Sequence, residues 1–261
     1  LGQKEALREL NRLPKTDEER EALYRTLRST FGVVDNFRRR FKQYFDEIHK
    51  TDQQCKIKLH SFSDATIIHV PLGQRLNQIP IIDIYASIAT CAAVFLDMLS
   101  EQHACRGGIE VGLAGEMYEG EIYGAALNDA YRLERDIALY PRIVVGQMLI
   151  DYLIIHKESD QTNAGTKESA SKCLRLLKQD VDGHGFIDYL GEEFMELMQL
   201  IPLKDGTVEK AYEFVKAEAA KWKLQKKTKL AFRYNLLGNY FASRLSLWKD
   251  KLPQNSGTGL R

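Results

Sequence analysis

The chain has 261 residues, and its 37 Lys and Arg against 36 Asp and Glu give a formal net charge of +1. At 44% hydrophobic, 28% charged and 10% aromatic, the composition excludes a disordered chain. The balanced charge leaves no bulk field for a polyanion, so a nucleic-acid binder is not expected. The four cysteines, Cys55, Cys91, Cys105 and Cys173, include no C-x-x-C pair, which suits reduced thiols and a cytoplasmic location.

The chain opens at Leu1-Gly2-Gln3-Lys4-Glu5, without Met or a leader-like apolar run. That predicts no signal peptide, with a few natural residues preceding Leu1. From Asp17 to Lys50, Leu23, Leu27, Phe31, Val34, Phe37, Phe41 and Phe45 recur at helical steps, which predicts one long or broken helix starting at Asp17. The period then changes. Lys56–His60 and Thr66–Val70 read as a β-hairpin, with Ser63-Asp64 at its tip. The run Ile79–Met98 is long enough to span a membrane but contains Asp83 and Asp97. A buried helix over about 80–103, without stable membrane insertion, is the expectation.

Arg106–Gly115 (RGGIEVGLAG) reads as a glycine-punctuated strand returning through Glu121-Ile122-Tyr123. A helix follows over 125–138, and then a short strand over 141–146. Asn163–Lys172 is polar and small, and reads as a loop. Asp180-Val181-Asp182-Gly183 reads as a turn between strands, and helices over 207–225 and 228–249 close the fold. These elements predict an α+β sandwich with helices on one face. Residues 1–150 would form the core, 151–250 would complete the same domain, and 251–261 would be a tail. Common phosphate-loop, zinc-protease and hydrolase motifs are absent. An EF-hand reading of the Asp180 turn fails because the twelfth position is Gly191, where a bidentate Glu is needed.

Two segments carry the specific signal. Phe62-Ser63-Asp64 lies between two strands, and Glu121-Ile122-Tyr123-Gly124-Ala125-Ala126-Leu127-Asn128-Asp129-Ala130-Tyr131-Arg132-Leu133-Glu134 follows the strand Gly108-Ile109-Glu110-Val111-Gly112. Over about 50–150 this order resembles the class III nucleotide cyclase domain. The wording FSD, RGGI, YGAALNDAYRLE and YPRIVV is most similar to the bacterial pyrimidine cyclases of Pycsar antiphage systems. The resemblance implies a class III cyclase-like (ferredoxin-like) sandwich with additional C-terminal helices. It also implies Asp64 as a metal ligand, Asn128 and Arg132 as catalytic residues, and Mn²⁺ or Mg²⁺ in a two-ion site. Two shared sites in a homodimer would follow, as would a separate cyclic-nucleotide effector protein in antiphage defence.

The chemistry agrees with those residue types. Cyclisation needs charge neutralisation of the phosphates and a fixed cation at the α-phosphoryl oxygens. Asn and Arg four apart share a helix face, so Asn128 can orient the ribose while Arg132 reaches the phosphoryl. Taken singly, Arg132 reads as a surface ion pair with Glu134 or Asp136, Asp64 as a turn residue and Arg106 as a strand-end surface residue. The second metal carboxylate of the family belongs to a first strand. Leu1-Gly2 looks like the end of its turn, so that Asp is expected just before residue 1. Asp35 imitates it but falls in the helical period.

Where adenylate cyclases of this class carry Lys and Asp to read the base, and guanylate cyclases Glu and Cys, this chain has His60 and Glu121. That departure favours a pyrimidine nucleoside triphosphate, UTP ahead of CTP, with Arg106 as a further donor to the base carbonyls. The expected activity is a phosphorus–oxygen lyase making a 3′,5′-cyclic pyrimidine nucleotide and pyrophosphate. The alternatives are a catalytically degenerate nucleotide sensor of the same fold, or a purine cyclase.

Overall fold

A twenty-residue helix with almost no solvent face organises the chain. The computed structural model describes residues 13–49, 57–62, 65–72, 81–201 and 203–251. Helix α1 spans Asp17–Ile48, strands β1 and β2 span Lys58–Phe62 and Ala65–His69, and α2 spans Ile81–Ser100. Among the described residues α2 alone is long and apolar enough to cross a membrane, yet 83% of its most apolar window is buried inside the chain. It packs against α1 and against two later helices, α5 (Ala164–Arg175) and α7 (Thr207–Leu224). The expected buried helix is therefore present.

The second half of α1 docks on α2 through Phe37, Phe41 and Phe45, whose rings stack at centroid separations of 6.4 and 6.0 Å. Asp97 of α2 is buried and ion-paired with Arg40 of α1. Arg40 also reaches Glu101, which accepts from Asn36 at 2.8 Å. The cap of α1 is Thr16, whose hydroxyl accepts from the Glu19 amide at 3.2 Å, one residue before the Asp17 expected from sequence. Asp35 is helical and pairs with Arg39 at 2.9 Å.

The described strands fall into three sheets. β1 and β2 pair antiparallel, with His60 opposite Ile67 and Lys58 opposite His69; the tip residues Ser63 and Asp64 lie outside the described residues. β3 (Gly107–Ile109) pairs in parallel with β6 (Ile143–Val145). β8 (Gly185–Ile187) and β7 (Leu177–Gln179) extend that sheet antiparallel in the order β3-β6-β8-β7. β4 (Ala114–Tyr118) and β5 (Glu121–Gly124) form a separate ribbon. The architecture is mixed α+β with small sheets, and mostly helical.

The strand expected over 106–115 is thus two strands in two sheets. The break is at Glu110, whose carboxylate accepts from the next amide, Val111, and from Leu149 on the following helix α4 (Gln147–Glu158), both at 2.9 Å. The loop expected over 163–172 is helix α5. Asn163 caps it by accepting from Thr166 at 2.9 Å, and only Ala170 and Cys173 are buried, which explains its loop-like composition. Helix α6 (Glu192–Leu200) had no sequence expectation, and α8 (Thr228–Arg244) runs on into a 3₁₀ stretch, Leu245–Lys251.

The helix expected over 125–138 is also composite. Helix α3 (Ala125–Arg132) passes into a π-helical turn, Leu133–Ile137, closed by the Ala138 amide on the Leu133 carbonyl at 2.8 Å. It lies directly on β3. A Cβ on Gly108 would stand 2.1 Å from the Ala130 carbonyl oxygen and 2.8 Å from the Leu133 Cβ. Leu133, Ala138 and Val144 form a small core beneath it. Arg142 is fully buried and ion-paired with Asp180 and Asp182, and it donates to the Ile137 carbonyl at 2.9 Å. The acidic turn that imitates a calcium loop is therefore occupied by a guanidinium.

Two outcomes follow. Gly108→Ala forces strand and helix apart, so urea unfolding should show a loss of about 1–3 kcal/mol, the usual range for overpacking. Burial lowers the pKa values of His69, His103 and His156 below the ordinary 6.5. The unfolded chain then takes up protons first as pH falls. Stability should be level above about pH 6.5 and decline from there toward pH 5. His156, which packs edge-on against Tyr152 at 4.5 Å, is the site to test: His156→Phe should make that decline in Tm shallower.

Candidate active site

Helix α3 starts at a junction only glycine fits. Gly124 has φ of 145°, and a Cβ there would lie 2.3 Å from the Leu113 carbonyl oxygen. The ribbon therefore turns straight into the helix, and Asn128 and Arg132, four residues apart, share one face. Both are exposed, and no residue of α3 is buried. The ion-pair partners suggested for Arg132 by sequence are taken by others. Glu134 pairs with Arg106 at 2.7 Å and Asp136 with Arg135 at 2.8 Å. Arg135 also lies over the Tyr131 ring at 5.3 Å and holds the Asp136 carboxyl below its usual range. Arg132 keeps a looser contact with Asp129 at 3.5 Å, and 62% of its side chain is exposed, so its guanidinium remains accessible to an anionic group.

The β1–β2 hairpin lies against the β4–β5 ribbon. Lys58 is ion-paired with Glu116, which also accepts from the Gly120 amide at 2.9 Å. Those two hydrogen bonds, Lys58 first, hold the Glu116 carboxyl below its ordinary value. The His60 ring is half-buried, with Nδ1 3.8 Å from where a Cβ on Gly120 would stand, and its Nε2 is shielded from solvent without a hydrogen-bond partner among the described residues. Gly120 precedes Glu121, which is exposed at the start of β5. The two base-reading residues expected from sequence, His60 and Glu121, are thus carried by touching elements. Burial lowers the pKa of His69, which faces Lys58 across the hairpin.

Arg106 stands apart from them. Its guanidinium donates to the Ala138 carbonyl at 3.1 Å and pairs with Glu134, so it braces the end of the π turn. Asp64, the expected metal ligand, lies outside the described residues. Among the described residues no three His, Cys, Asp or Glu side chains gather as a metal site. Glu110, the carboxylate that ends β3, is committed to the Val111 and Leu149 amides. Sequence reasoning did not single out Lys58 or Glu116. Their signal is long-range, since Lys58 and Glu116 meet across 58 residues.

Comparison with protein-family models, with curated proteins and with solved structures finds no significant match.

Proposed function

We propose that this chain is a nucleotide cyclase of the class III type, converting a pyrimidine nucleoside triphosphate, UTP ahead of CTP, to its 3′,5′-cyclic monophosphate and pyrophosphate. The observation that carries this reading is the exposed face of α3. Asn128 and Arg132 lie side by side there, and the nearby acids Glu134 and Asp136 are bound to other arginines. In the reaction the ribose 3′-oxygen attacks the α-phosphorus in line. The new P–O bond forms as the bond to the β-phosphate bridging oxygen breaks, and the 3′-hydroxyl proton goes to solvent. Asn128 orients the ribose, and Arg132 meets the charge growing on the α-phosphoryl oxygens. Asp64 would hold Mn²⁺ or Mg²⁺, whose chemistry when bound is to neutralise the triphosphate and acidify the 3′-hydroxyl. His60 and Glu121 would read the base edge.

The partner in this reading is a second copy of the chain, with Asp64 of one protomer facing Asn128 and Arg132 of the other. The ribbon beside α3 supports it. Leu113, Met117, Tyr118 and Tyr123 are all exposed there, and a two-stranded ribbon seldom stands alone in water. The burial of α2 supports a protein without stable membrane insertion, and the location in this reading is the cytoplasm. A separate effector protein would read the cyclic nucleotide in antiphage signalling.

Incubation with the four NTPs and Mn²⁺ should yield cUMP as the main product, with UTP preferred over ATP and GTP by at least ~10²-fold, since mismatched buried polar groups carry such penalties. Efficient conversion of a purine nucleotide would overturn the pyrimidine assignment, and no product from any NTP would overturn the cyclase. Arg132→Ala should lower kcat by about 10²–10³, the range for removing a preorganised charge stabiliser. Asp64→Asn should be inactive, yet mixing the two variants should restore turnover through heterodimers. No recovery after confirmed subunit exchange would place the whole site within one chain.

A further inference from the structure

We propose that Arg106 and Glu134 form a clamp on the π turn that sets the direction of α3, making both positioning residues for Asn128 and Arg132. The effect on turnover rests on the cyclase reading above; the clamp does not.

Helix α3 needs an external support. It is eight residues long and fully buries none of them, so its own length does not hold it and its packing on the strand beneath rests on small side chains such as Ala126 and Ala130. A second attachment lies below Arg132, in the π turn. The two carbonyls that end the turn, Ile137 and Ala138, each accept from an arginine: Arg142 at 2.9 Å and Arg106 at 3.1 Å. Those arginines stand immediately before two paired parallel strands. Gly107 and Ile143 are register partners, and the Gly107 amide donates to the Arg142 carbonyl at 3.1 Å. The end of the sheet at which these two strands start thus presents two neighbouring guanidinium groups to one helix end, where cations are favoured by the helix dipole.

Of the two arginines, Arg106 is the one that reaches back up the helix. Its Nη2 pairs with Glu134 at 2.7 Å while Nη1 holds Ala138. The planar fork therefore ties the start of the turn to its end and both to β3. Gly108, in contact with Ala130 and Leu133, is the fulcrum beneath. Glu134 lies two residues after Arg132, so a change at the clamp is passed directly to the helix face that carries Asn128 and Arg132. Arg142 is fully buried with two aspartates, and its removal would unfold the neighbourhood. Arg106 and Glu134 are 23% and 30% exposed, which makes them the usable handles.

The test compares Arg106→Ala, Arg106→Lys, Glu134→Gln and the double variant Arg106→Ala/Glu134→Gln in the full chain, by amide hydrogen exchange and by turnover of each NTP with Mn²⁺. Arg106→Ala and Glu134→Gln should each speed exchange over residues 133–138 by about 3–10-fold, the span of one or two net hydrogen bonds. Exchange in α2 should be unchanged. Each should lower kcat by about 10–100-fold, as expected for a small misplacement of catalytic groups, with KM within about threefold and the ranking of the four NTPs unaltered. The double variant should be no worse than Arg106→Ala, and Arg106→Lys should recover part of kcat. Unchanged exchange in both single variants would overturn the clamp. A changed NTP ranking in Arg106→Ala but not in Glu134→Gln would overturn the positioning role in favour of base reading by Arg106. If the unaltered chain converts no NTP, the cyclase reading falls, and exchange alone decides the clamp.

Discussion

Asp97 sits near the end of a helix with hardly any contact with water, and an isolated carboxylate there would be costly enough to reshape the fold. Arg40 removes that cost. Because Arg40 belongs to α1, the ion pair also fixes how the two helices lie, and Asn36 and Glu101 extend the polar seam to the surface. With α1 seated, the phenylalanine stack closes one side of α2, and α5 and α7 close others. The sheet that carries the π turn on its first strand begins only a few residues after α2 ends. One buried charge pair thus seats the helix from which the chain leads into that sheet.

Part of this was legible in the chain, for physical reasons. An apolar run interrupted by acids near both ends reads as a buried helix, and the Asp-Val-Asp-Gly turn reads as a turn because Gly183 takes a positive φ of 83°. The reading failed where a single side chain decides the backbone. Glu110 bonds to the amide next to it and ends a strand that its apolar neighbours would have continued. Helix α5 was hidden because its buried face consists of one alanine and one cysteine, too thin a stripe for periodicity to register.

For the site, spacing along one helix was readable and partnership across the chain was not. The Asn128–Arg132 interval alone puts both residues on one face of α3. Which acids remain for Arg132 depends on Arg106 and Arg135, and only the fold shows that Glu134 and Asp136 are already occupied. The same applies to Arg106. Read from sequence it is a free donor at a strand end, and in the structure it is spent on the helix beside it. Residues with several plausible partners are where sequence reading is weakest, and long cations are the extreme case, because their reach spans several elements.

The π turn has a consequence for chain length. Each such turn holds one residue more than an α-helix would over the same rise, so it works as a single-residue insertion after Arg132. Removing one residue between Leu133 and Ile137 would leave regular helix over the same rise, so the final carbonyls and the strand after them would keep their places. Side chains in this stretch can change one at a time at the cost of a contact each. Its length can shorten by one residue as well, because the turn absorbs that step and passes none of it on.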